Sequence, residues 1–279
     1  MNIWVKTVFS DLDWTVLKNW ILPKNTQETI QNMWKKWISF VPSTWKGFPR
    51  LHDMFKNWIS ILESWARITY PDKSQEFNSI EKENLLDLID LVNSINDKIN
   101  FMFFYPKDIN LSHAIFFTWD NKHPKLNKFD WIRNKYFDFA IWDFENYAKW
   151  LWNIAMLNLH VNAQSLEELW LNEKYNWLNL VFNEWMLNIS VTDKWKAIEK
   201  IIYDSRWKIK EILVAWNDTN DIPAFDTAVN LVKNQSIEKV WIIIVWWYKY
   251  EISESWNITL MEVDSPDKIW EAFRDYYKL

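Results

Sequence analysis

Short, almost unbroken apolar runs recur along the chain at residues 5–10, 38–41, 212–215 and 241–245. Between them lie stretches with helical spacing, such as NTQETIQNMWKKW, KAIEKIIYDS and DKIWEAFRDYY. Continuous apolar strands separated by amphipathic helices predict an α/β fold with a doubly wound parallel sheet covered on both faces. Roughly from residue 79 to 184 the texture changes. A long amphipathic helix, EKENLLDLIDLVNSI, leads into INFMFFYP, HAIFFTW, NIAMLNLHV, LNLVFN and MLNISV, which read as strands with helices between them. The pattern predicts a core from residues 1–78 and 188–279, with an inserted α+β domain at 79–187. The Lys/Asn-rich piece WDNKHPKLNKFDWIRNK reads as a solvated loop.

The chain has 279 residues, enough for a sizeable core, and a formal net charge of −5 with Lys and Arg scattered. That balance leaves no electrostatic footprint for nucleic acid or an anionic membrane. There is no cysteine, and the histidines (His52, His113, His123, His160) stand far apart, so any metal is expected on oxygen ligands, which favours magnesium. The first residues lack a secretory signal pattern, and the longest apolar run, 240–248, is too short to span a bilayer. These features lead to the expectation of a soluble cytoplasmic protein, monomer or homodimer.

One composition value changes the picture. The chain has 1 glycine and 24 tryptophans, whereas ordinary usage gives roughly 20 glycines at this length. Tight turns and helix ends need positive φ, which a residue with a Cβ adopts at a cost. Tryptophan stands in those places. A helix is expected from a cap near Asn25, with Glu28 three residues on, to Lys35 and Lys36, and Trp37 follows where glycine is preferred. Asn19-Trp20, Asn57-Trp58 and Asn176-Trp177 look like Asn-Gly turns, and Trp246-Trp247 follows a strand as a glycine pair would. Few of these tryptophans follow an apolar period of a helix or strand. The expectation is that most are UGA codons meaning glycine, Gly47 being an ordinary glycine codon.

In open α/β sheets ligands bind beyond the carboxyl ends of the strands. Asp11 and Asp13 follow the first predicted strand; Ser43 and Thr44 follow the second. Lys194 opens the helix after the insert, and AWNDTND after the next strand offers Asn217, Asp218, Asn220 and Asp221. Each is a weak signal alone, but their order along the chain is not.

With these residues in order the sequence resembles the haloacid dehalogenase-like (HAD) hydrolases, in particular subfamily IIB, the Cof-type sugar phosphatases with a large α/β cap. The family's Asp-x-Asp-Gly-Thr is matched by Asp11, Leu12, Asp13, Trp14 and Thr15, and its Thr-Gly by Thr44 and Trp45. Its Lys-Gly is matched by Lys194 and Trp195, and its Gly-Asp-x-x-Asn-Asp by residues Trp216 to Asp221. Every family glycine in these motifs falls on a tryptophan. The resemblance spans nearly the whole chain and implies a magnesium-dependent phosphatase of small phosphate esters. It further implies Asp11 as nucleophile, Asp13 as acid and base, and Ser43, Thr44, Lys194 and Asn220 on phosphate. Magnesium is implied on Asp11, Asp13, Asn217, Asp218 and Asp221, with amides after Asp11 completing a phosphate cradle. Asn217 stands where the family has an aspartate, with one negative charge fewer. In ILESWARITYP, Glu63, Ser64 and Arg67 are candidates to face substrate, a salt-bridged surface Arg67 being the other reading. A phosphomutase and a non-catalytic binder of phosphorylated ligands remain open alternatives.

Overall fold

The computed structural model describes residues 6–19, 21–44, 51–62, 66–94, 99–106, 114–118, 137–141, 154–161, 178–183, 186–205, 208–217, 222–245 and 255–278. The first five strands are β1 (Lys6–Asp11), β2 (Ile38–Ser43), β3 (Ser60–Leu62), β4 (Arg67–Thr69) and β5 (Gln75–Phe77). Then come β6 (Ile99–Pro106), β7 (Ala114–Thr118), β8 (Phe137–Ile141), β9 (Ile154–Val161), β10 (Asn179–Asn183) and β11 (Met186–Ser190). The last three are β12 (Glu211–Trp216), β13 (Lys239–Val245) and β14 (Ile258–Val263). The helices are α1 (Lys24–Lys35), α2 (Lys82–Ser94), α3 (Lys194–Asp204), α4 (Ile222–Lys233) and α5 (Ile269–Lys278).

The strands form two sheets. One has the order β14-β13-β12-β1-β2-β3-β4-β5, parallel from β14 to β3 and antiparallel beyond. Its central strands are buried on both sides, and alternate residues feed two cores, as the pleat requires. Phe9, Val41, Val214 and Ile242 join Ile198, Ile201, Phe225 and Val229 of α3 and α4. Val8, Phe40, Leu213 and Ile243 join Ile30 and Met33 of α1 and Phe273 and Tyr276 of α5. The continuous apolar runs are therefore doubly covered strands, as predicted.

The second sheet, β10-β11-β9-β6-β7-β8, is antiparallel except between β7 and β8. All of its strands fall between β5 and α3 in the sequence. On β9 and β11, Leu157 and Leu159 pair with Ile189 and Leu187, and all four are buried. The helix α2 buries Leu85, Leu88, Ile89, Leu91 and Val92, one apolar face at helical spacing.

Some expectations are corrected. The helix α1 begins one residue before Asn25, with Pro23 in the flanking position and no side-chain cap, because proline's fixed φ already suits a helix start. Neither Asn57 nor Trp58 has positive φ, so the chain there is no Asn-Gly turn. It closes by a bond from the Trp58 amide to the Phe55 carbonyl, and the Trp58 ring packs on Phe55. Strands β3, β4, β5, β8 and β14 and helix α4 were not anticipated from the pattern. Asn176-Trp177, Trp45, Gly47, Trp246-Trp247 and most of the Lys/Asn-rich piece lie outside the described residues. Among the described residues no helix is long and apolar enough to cross a membrane.

Candidate active site

β1 lies between β2 and β12. The chain leaves β1 toward β2 on one side and returns much later to β12 on the other. The carboxyl end of β1 is therefore the switch point of the sheet, where a crevice opens between diverging loops. Asp11 is the last residue of β1, in register with Ser43 at the end of β2.

Three polar contacts gather there. The Asp11 carboxylate is 7 % exposed and faces the Lys194 ammonium, 5 % exposed, with Nζ to Oδ1 at 3.5 Å. Lys194 is the first residue of α3, whose N-terminus is capped by the Asp193 carboxylate accepting from the Lys196 amide at 3.0 Å. Two opposite charges this far from water stabilise each other. Thr44, buried just beyond β2, donates its hydroxyl to Asp13 Oδ2 at 3.0 Å while its amide bonds the Ile61 carbonyl at 2.9 Å. Thr15, fully buried, donates its hydroxyl to Asn217 Oδ1 at 3.0 Å, which ties the loop after β1 to the end of β12.

Of the residues anticipated from the motifs, the structure thus pairs Asp11 with Lys194 and Asp13 with Thr44, and holds Asn217 through Thr15. Ser43 is fully buried and its carbonyl accepts the Leu12 amide at 3.0 Å. Asp218, Asn220 and Asp221 lie outside the described residues, as do Glu63 and Ser64. Arg67 is 4 % exposed on β4, with its guanidinium 3.4 Å from Gln75 Oε1, and so is not the surface arginine that one reading allowed. Of the amides after Asp11, that of Leu12 is bonded to Ser43 and that of Trp14 to the Leu17 carbonyl at 3.1 Å. Thr15 matched a motif but was assigned no role; its spacing four residues after Asp11 was the available signal.

The loop after β1 turns through Trp14 at φ 60°. A second tryptophan, Trp216 at the end of β12, is fully buried, and the Lys194 ammonium lies 5.3 Å from its ring centre. An indole therefore stands beside the Asp11–Lys194 pair.

Among the described residues no cluster of three or more His, Asp or Glu side chains gathers. The donors near the switch point are the carboxylate of Asp11, the main-chain carbonyl of Asp13 and the carboxamide of Asn217, a hard, all-oxygen set that fits magnesium. The bond from Thr15 occupies one of the two lone pairs of the Asn217 oxygen.

The haloacid dehalogenase-like hydrolase family matches residues 8–233. Among solved structures, TM0651 from Thermotoga maritima is 18% identical, with 98% of this chain and 97% of that chain covered and a TM-score of 0.68. BT1666 from Bacteroides thetaiotaomicron, a phosphatase of the haloalkanoate superfamily, is 13% identical over 99% and 96% of the two chains, with a TM-score of 0.67. The subclass IIB sugar phosphatase BT4131 is 12% identical over 98% and 100%, with a TM-score of 0.68. No curated protein sequence matches significantly.

Proposed function

This chain belongs to the haloacid dehalogenase-like hydrolases, and from that premise we propose that it hydrolyses phosphoric monoesters of small metabolites through an aspartyl-phosphate on Asp11. The observation that carries the reading is the buried pair of Asp11 and Lys194 at the switch point, with the Asp13 carboxyl held by Thr44. A carboxylate fixed beside an ammonium can meet a phosphate dianion, because the cation offsets charge on both.

A carboxylate oxygen of Asp11 attacks phosphorus, and the bond from phosphorus to the ester oxygen breaks. Asp13, as general acid, gives a proton to that leaving oxygen, then as general base takes one from the water that attacks the phosphorus of the intermediate. The bond from phosphorus to Asp11 breaks and inorganic phosphate leaves. Thr44 keeps the Asp13 carboxyl in one orientation, and Lys194 balances charge on the nucleophile and the transferred group. Asp11, the Asp13 main-chain carbonyl and Asn217, with Asp218 or Asp221, are the residues that would hold magnesium. Bound there, the ion would supply charge neutralisation between the carboxylates and the phosphate oxygens.

Sugar phosphates are the proposed substrate class. Support comes from the likeness to a sugar phosphatase over almost the whole chain, and from residues 79–187, which we assign as a cap that closes over small substrates and excludes bulky ones. Asn217 motivates a second reading, a non-catalytic binder of phosphate esters. Release of nitrophenolate from p-nitrophenyl phosphate, with and without magnesium, separates the two in the chain with glycine encoded at positions 14, 37, 216 and 241. Magnesium-dependent turnover that disappears in Asp11→Asn supports the enzyme. Ester binding without turnover supports the binder, and turnover untouched by Asp11→Asn removes the mechanism.

A further inference from the structure

We infer that the backbone at positions 14, 37, 216 and 241 is built for glycine, and that the tryptophans there are UGA codons the host decodes as glycine. Three independent observations converge on it.

The first is conformational. Positive φ occurs at Trp14 (60°), Asn19 (49°), Trp37 (63°), Lys73 (68°) and Gln235 (63°). For a residue as bulky as tryptophan this region is a genuine outlier, whereas glycine enters it freely. Trp37 follows the last turn of α1, its amide bonded to the Trp34 carbonyl at 3.0 Å, which is the glycine position at a helix end. Trp14 is the turn residue between Asp13 and Thr15. Asn19 follows Lys18, which exchanges reciprocal backbone bonds with Ile21, both 2.9 Å.

The second concerns donors. The indole nitrogens of Trp216 and Trp241, in the middle of the parallel sheet, are buried and have no hydrogen-bond partner among the described residues. Buried tryptophan N–H groups ordinarily find one. A glycine in either strand presents no such donor. At position 216 it also clears the space next to Lys194 and Asp11, where a backbone must approach a ligand closely.

The third is compositional: 1 glycine against 24 tryptophans is a ratio no globular α/β chain needs for packing. Trp58 is left out of the inference. Its φ is not positive, and it is only half-buried, its indole nitrogen not among the buried atoms that lack a partner.

The inference concerns the same site as the proposed function but is tested without activity. Purify the protein from its own host, digest it with trypsin and measure the mass of the peptide spanning residues 7–18, TVFSDLDWTVLK as written. Glycine at position 14 makes this peptide lighter by the difference between an indolylmethyl group and a hydrogen, and fragment ions place the change. Peptides covering positions 37, 216 and 241 are read the same way. The glycine masses are expected; tryptophan masses at these positions overturn the inference. If the glycine masses are found and Asp11→Asn leaves hydrolysis intact, the functional reading fails and this inference stands.

Discussion

The end of helix α1 and the end of strand β12 both carry a tryptophan where glycine is argued to belong, for different physical reasons. At Trp37 the backbone sits at φ 63° while the indole is 69 % exposed. The strain is in the main chain and the side chain simply leaves for solvent. At Trp216 φ is not positive, but the side chain is fully buried, with an N–H that has no partner among the described residues and an ammonium over its ring. The difference teaches that glycine serves this fold in two ways, by granting a left-handed conformation at a helix end and by leaving volume at a strand end. Only the second touches the site.

The largest effect is expected at position 216 in the chain translated with tryptophan. Trp216→Gly should raise p-nitrophenyl phosphate turnover, while stability in urea falls by less than the about 3–5 kcal/mol that truncating a buried indole normally costs. A full loss with no gain in turnover would make Trp216 a true core residue. A smaller effect is expected at the helix end. Trp37→Gly trades a left-handed penalty of about 1–2 kcal/mol for glycine's extra unfolded-state entropy of about 0.5–1 kcal/mol, a net gain near 0.5–1 kcal/mol with turnover unchanged. Gln235, at the end of α4 with the same φ of 63°, should gain a similar amount as Gln235→Gly, since only the backbone conformation is at issue. If the 37 and 235 variants differ in sign, side-chain contacts rather than φ govern the helix end.

The smallest effect concerns the two faces of the sheet, one holding Tyr70 and the other Tyr276. Burial is the main cause raising both phenols above their ordinary value; Glu76 adds to it for Tyr70, and Glu211 for Tyr276. Unfolded tyrosines ionise near about pH 10, while these stay protonated in the folded protein. The native state then binds more protons, so stability is intact below that pH and falls as pH rises through it. Urea midpoints measured upward from pH 9 should decline, and Tyr70→Phe should flatten part of the decline.

Much of this was legible because two periodicities dominate. The strands β1, β2, β12 and β13 are runs buried on both faces, and such runs announce themselves without an alternating pattern. β3, β4 and β5 are three residues each, too short for any period, and β14, mostly half-exposed at the sheet edge, lacks a continuous apolar run. In the site, Asp11, Thr44 and Lys194 could be found because strand ends and helix starts fix them. Thr15 could not be assigned its bond to Asn217, a partner 202 residues away brought close only by β1 and β12 pairing. The engaged amides of Leu12 and Trp14 were equally invisible, since their acceptors depend on the fold of the loop.

Every part of the functional account depends on covalent bonding of phosphorus to Asp11. The direct measurement is to quench the glycine-encoded chain in acid during turnover of a phosphate ester and map the phosphoryl group by peptide mass. The account predicts one hydroxylamine-labile phosphoryl group on Asp11 within residues 7–18, and loss of turnover on the order of 10³-fold or more in Asp11→Asn. Undiminished turnover in that variant, with no phosphoryl group on Asp11 in the parent, would contradict it.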